Sequence, residues 1–137
     1  MVSQADIAAV QTSWRRCYCS WDNEDGLKFY QTLFDSNSKI RHAFESAGAT
    51  NDTEMEKQAN LFGLMMTQFI DNLDDTTALN YKISGLMATH KTRNVVDPAL
   101  FAIALNELVK FIGNQQPAWK NVTAVILSQM KIALSSN

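Results

Sequence analysis

The sequence predicts an all-α chain of six or seven helices without a sheet, and three observations carry that prediction. Glycine and proline number only 5 and 2 in 137 residues, too few for the turns of a β architecture. Apolar residues recur at spacings of three and four in successive segments, and nowhere does an alternation of period two persist. At 46% apolar and 19% charged, the chain has the composition of a folded rather than a disordered protein. A chain of this size buries roughly two-thirds of its unfolded surface in a single core, so one domain over 1–137 is expected.

The elements follow in order. Ser3 with Asp6 has the form of a capping box, and Ile7, Val10, Trp14 and Cys17 then make the stripe of a first helix starting at residue 3 or 4. A polar break over 22–26 precedes a second stripe, Leu27, Tyr30 and Phe34. A short polar stretch over 35–39 then leads by a turn to Phe44, and 45–52 has the composition of a loop. Thr53 is positioned to cap a long amphipathic helix with Met55, Gln58, Phe62, Met65, Phe69 and Leu73 on one face. After a break at 74–77, Leu79, Ile83, Leu86 and His90 form a stripe that ends in a histidine. Asp97 followed by Pro98 reads as an N-cap with proline in the first helical position, Phe101, Leu105, Leu108 and Ile112 continue the face, and Gly113 stops it. Pro117 opens a last helix with Trp119, Val122, Ile126, Met130 and Leu134 inward. No internal repeat is present.

Charge and cysteine content exclude several classes. Twelve basic and fourteen acidic residues, scattered without a run, give a net charge of -2 and no footprint for nucleic acid or an anionic membrane. No apolar window is long enough to span a bilayer, and the first ten residues lack a basic start with an apolar stretch, so a cytoplasmic chain is expected. Cys17 and Cys19 are too few and too close for a disulfide framework and have no partner at zinc spacing; two reduced thiols are expected, with redox sensing as the alternative. The methionines near one face, Met55, Met65 and Met66, read as core and pocket filling.

Three polar side chains interrupt apolar stripes: Tyr30, Gln58 and His90. An unpaired polar group in such a stripe costs about 1–3 kcal/mol, so each calls for a partner. Singly, each has an ordinary explanation: a tyrosine whose hydroxyl reaches a carbonyl, a glutamine at the stripe's edge, a histidine complementing a helix C-terminus. Together they supply one imidazole ligand and two hydrogen-bond donors from three different helices.

The chain resembles the globin family over essentially its whole length, and is most similar in type to single-domain bivalve haemoglobins. The residues that carry the resemblance are Ser13-Trp14, the segment from Gly26 to Phe34, Phe44, the segment Lys57-Gln58-Ala59 through Phe69 to Asp75, His90-Lys-Thr-Arg93, and Ala118-Trp119. It implies a globin fold of six to eight helices around a haem pocket, with haem b as cofactor.

The resemblance also implies roles. His90 is the expected proximal iron ligand, with the other imidazole N–H donated to the Leu86 carbonyl, and Phe44 is the aromatic that wedges the porphyrin. Gln58, 32 positions before His90, matches the usual interval for the distal residue that faces bound gas; Met55, 35 positions before it, is the alternative. Tyr30 points into the same pocket and Phe62 sits over the distal face of the ring; a Tyr and Gln distal pair occurs among the family's high-affinity oxygen binders. Leu86, Val96, Phe101 and Leu105 line the proximal side, and Arg93 occupies a position from which family members reach a haem propionate, with a solvated surface arginine as the alternative. Ser38 stands where globins commonly carry proline. His42 has no implied ligand role.

Reversible O2 binding for storage, transport or intracellular supply is the expected function, with O2 and other diatomic gases such as CO and NO as partners and with high O2 affinity. The alternatives are enzymatic, nitric oxide dioxygenation or nitrite reduction, or a gas or redox sensor, or a haemless interaction module. Turnover requires a separate reductase, because no Gly-rich phosphate loop or flavin domain is present in the sequence. The chain is expected as a monomer or a homo-oligomer.

Overall fold

The computed structural model describes residues 2–46 and 51–136, apart from the side chain at position 23. Seven α-helices lie within those residues: α1 (Gln4–Tyr18), α2 (Gly26–Ser36), α3 (Ser38–Ser46), α4 (Asp52–Asp71), α5 (Thr76–Thr92), α6 (Pro98–Ile112) and α7 (Gln116–Ser135), and no strand occurs among them. None of these helices is long and apolar enough to cross a membrane.

Short polar side chains set most of the boundaries. Ser3 Oγ accepts from the Asp6 N–H at 3.1 Å, and Asp97 Oδ1 accepts from the Ala99 N–H at 3.0 Å with Pro98 opening α6. Gly113, at φ 77°, closes α6 in the left-handed conformation that glycine adopts without a Cβ clash. Asp6 does not reach back to complete a capping box; its carboxylate accepts from Asn121 Nδ2 at 3.0 Å and ties the start of α1 to α7.

Four expectations need correction. The polar stretch 22–26 is not a break: Trp21–Asp25 forms a π turn that runs directly into α2. Asn51, not Thr53, caps α4, its Oδ1 accepting from the Glu54 N–H at 2.9 Å. Phe44 lies inside α3 rather than after a turn, because Ile40 gives that short helix a buried anchor; of the expected loop, 47–50 fall outside the described residues. On α4 the deeply buried residues are Ala59, Gly63, Met66, Phe69 and Ile70, whereas Met55, Gln58, Phe62 and Met65 are only half-buried. The helix therefore turns one stripe into the core and presents a neighbouring stripe elsewhere.

The core is organised by α7, which packs on α5, α6 and α1, while α2 packs on α4. Three fully buried tryptophans join the layers, and each indole N–H is satisfied. Trp119 donates to Ser13 Oγ at 2.9 Å, and Ser13 in turn donates to Asn114 Oδ1 at 2.7 Å. Trp14 donates to Thr67 Oγ1 at 2.9 Å, and Trp21 donates to the Ala59 carbonyl at 2.7 Å. Every enclosed side-chain nitrogen and oxygen among the described residues has a partner, as a stable interior requires.

Two glycines make room for Trp21. A Cβ at Gly63 would lie 2.6 Å from the indole and 3.0 Å from Tyr18, and one at Gly26 would lie 2.7 Å from the indole nitrogen. Gly63→Ala is expected to overpack this joint and destabilise the fold by about 1–3 kcal/mol. Gly85→Ala, whose Cβ meets nothing within 4 Å, removes helix-interior glycine and stabilises by roughly 0.8–1 kcal/mol. Thermal unfolding of the two variants should move in opposite directions.

Candidate functional site

The half-buried stripe of α4 faces an aromatic group contributed by α2 and α3. Tyr30 stands against Phe44 at 5.7 Å between ring centroids and against Phe62 at 6.0 Å, both edge-on, and Phe34 packs on Phe44 at 4.9 Å. Edge-to-face packing at these separations fixes ring orientation as well as excluding water. Gln58, one turn before Phe62 on the same face of α4, is half-buried.

Tyr30 is 5% exposed, and its hydroxyl makes no hydrogen bond among the described residues. Burial pushes the phenol above its ordinary value of 10.0, so the hydroxyl stays protonated and remains a donor.

On α5, Leu79, Ile83 and Met87 are buried, and Leu86 and His90 stand half-buried on an adjoining stripe. His90 Nδ1 lies 2.9 Å from the Leu86 carbonyl. A carbonyl oxygen only accepts, so Nδ1 carries the proton, and in the neutral ring Nε2 holds the lone pair. Phe101 holds the imidazole edge-on at 5.0 Å, and Leu105, one turn further along α6, is buried. The C-terminus of α5 closes on the same residue: the Arg93 and Val95 N–H groups both donate to the His90 carbonyl, at 3.1 and 2.9 Å. The backbone on each side of the imidazole is thus fixed.

The family comparison decides what this arrangement belongs to: residues 27–130 match the globin family model. The chain is a globin. Over 136 aligned residues, covering 94% of each chain, it is 43% identical to Globin-1 of the bivalve Phreagena soyoae. Its all-helical architecture is that of the family, and membership implies haem-based binding of diatomic gases.

Within this globin, the remaining sequence-derived residues separate into two settings. Tyr30, Phe44 and Phe62 are brought into one cluster, and Leu86, His90 and Phe101 into another. Arg93 is exposed, as is Val96 at 46%. Met55 lines a groove of about 490 Å³ with Gln31, Phe34, Asp35, Arg41 and Glu45, a largely polar setting. His42 is exposed and sits 3.4 Å from Glu45 on its own helix. Cys19 is exposed, while burial and the nearby Asp25 carboxylate push the Cys17 thiol up to about 11. Cys17 is therefore a protonated, weakly reactive thiol at neutral pH.

Trp21 is the residue that sequence reasoning missed. Its signal was present: Ile7, Val10, Trp14, Cys17 and Trp21 continue one three-and-four pattern. The acidic run that follows it hides the continuation.

Proposed function

We propose that this globin binds O2 reversibly, for storage, transport or intracellular supply, using haem b held by His90. The observation that carries the reading is the hydrogen bond from His90 Nδ1 to the Leu86 carbonyl. It selects the tautomer whose Nε2 lone pair is free and orients the ring, the second-layer arrangement that metal-binding imidazoles require. No group of three or more His, Cys, Asp or Glu side chains suited to a metal occurs among the described residues, so a lone imidazole fits a metal whose other donors come from a macrocycle. Haem bound there would be held by His90 and would supply an iron able to take up a diatomic gas.

The chain's own residues supply the rest. Phe44 and Phe62 offer flat apolar faces for a porphyrin, Leu86, Val96, Phe101 and Leu105 form the proximal wall, and Arg93 offers a guanidinium to an anionic propionate. Tyr30, kept protonated by burial, and Gln58 donate hydrogen bonds to the gas. Met55 is the less suitable distal residue, since a thioether donates no hydrogen bond.

Cycling the hemin-reconstituted, reduced protein between air and argon tests carriage. The oxygenated spectrum is expected to revert on each removal of O2 without net oxidation. Oxidation of the iron in every cycle would contradict carriage. Rapid re-reduction after nitric oxide treatment in lysate, but not in buffer, would instead favour dioxygenase turnover with a separate reductase.

A further inference from the structure

Trp21 has no place in the reading above, yet it touches the distal wall at three points. Its indole N–H donates to the carbonyl of Ala59, the residue next to Gln58, at 2.7 Å. Its ring stacks on Phe62 at 6.1 Å with 21° between planes. Its edge fills the notch between Gly26 and Gly63, where a Cβ on either glycine would approach within 2.7 Å. The π turn Trp21–Asp25 delivers the ring there, and Ser20 Oγ donates to Asp25 Oδ2 at 2.5 Å across the turn. A π turn carries an extra residue relative to α geometry and so rotates the side chain it bears.

We propose that Trp21 is a positioning residue for the distal wall: through Ala59 and Phe62 it sets the rotation and depth of α4, and hence where Gln58 and Phe62 stand relative to Tyr30. The inference rests on the distal role given to Gln58. The mechanism is mechanical. Of the two indoles that donate to α4, Trp14 grips Thr67, two turns beyond the distal segment, and Trp21 grips the distal segment itself. Phe62 bridges Trp21 to Tyr30, so displacement of the indole reaches Tyr30 through Phe62 and Gln58 through the backbone of Ala59.

Trp21→Phe removes the bond to Ala59 and keeps an aromatic core residue; Trp14→Phe is the control, a comparable loss of an indole bond to the same helix. Amide hydrogen exchange in the haem-free proteins and the infrared stretch of carbon monoxide in the haem-loaded ones are the readouts. In Trp21→Phe, amides 58–63 are expected to exchange at least about tenfold faster than in Trp14→Phe, and the carbon monoxide stretch to shift or broaden while that of Trp14→Phe stays at the wild-type position. Gly63→Ala, which displaces the ring but leaves its N–H, is expected to shift the same stretch and serves if Trp21→Phe does not fold. Exchange and stretch in Trp21→Phe and Gly63→Ala equal to those of Trp14→Phe would overturn the proposal and leave Trp21 as core filling. A wild-type protein that fails to bind haem at all would overturn the distal reading first, and the proposal with it.

Discussion

Replacing His90 by glycine is expected to abolish retention of haem by the purified protein, and free imidazole is expected to restore it. Loss of a second-layer partner alone weakens metal sites by about 10–100-fold, so loss of the ligand itself should exceed that. His90 is half-buried in the last turn of α5, and the core face of that helix is carried by Leu79, Ile83 and Met87. The variant should therefore keep its helix content, measured by circular dichroism, while hemin transfers readily to a competing apoprotein. Imidazole occupies the space left by the side chain and supplies the same nitrogen, which separates loss of a ligand from loss of structure. Undiminished hemin affinity in His90→Gly would remove His90 from the site.

The second large effect is expected at the distal donors. One hydrogen bond to a bound gas contributes on the order of 1 kcal/mol, and 1.4 kcal/mol is tenfold in a rate or equilibrium. Tyr30→Phe should thus raise the O2 dissociation rate severalfold, and combination with Gln58→Leu should raise it by one to two orders of magnitude. Met55→Leu should leave it unchanged. Carbon monoxide carries less charge when bound and accepts weakly, so its dissociation should respond far less in the same variants. Stopped-flow displacement of O2 by carbon monoxide gives these rates. Equal rates for wild type and Tyr30→Phe would show that the phenol makes no bond to the gas; a large effect in Met55→Leu would move the distal role to that residue.

Much of the frame was readable because it is written in local chemistry. Ser3, Asp97 and Gly113 bound helices by satisfying or freeing backbone groups within three residues, and neighbouring positions reveal such signals. The interior faces of α1 and α7 were readable for a similar reason: Trp14, Trp119, Val122 and Ile126 stand on helices whose opposite faces are polar. The rotation of α4 was not. That helix carries large apolar residues on its outer side as well, with Leu61 and Leu64 exposed at 54% and 47%, so periodicity alone does not select its core face. Ala59 and Gly63 select it instead, because their small size permits close approach to Trp21, and a count of large apolar residues passes over them. The π turn was hidden by its acidic composition, and Asn51 and Thr53, only two residues apart, are equally good cap residues by type.

At the site, the pairing of Leu86 with His90 lies within one helical turn, and the sequence resemblance placed it there. The contacts of Tyr30 with Phe44 and Phe62 join three helices and depend on how α2, α3 and α4 pack, which no local spacing encodes.

The most direct test of a haem held by His90 with a gas position left open is the absorption spectrum of the hemin-reconstituted protein after dithionite reduction under argon. The expected result is the single broad visible band of high-spin, five-coordinate ferrous haem, replaced by a two-banded oxygenated spectrum when air is admitted. A sharp low-spin, six-coordinate spectrum before any gas is present would mean that a second side chain already fills that position, and would contradict the account.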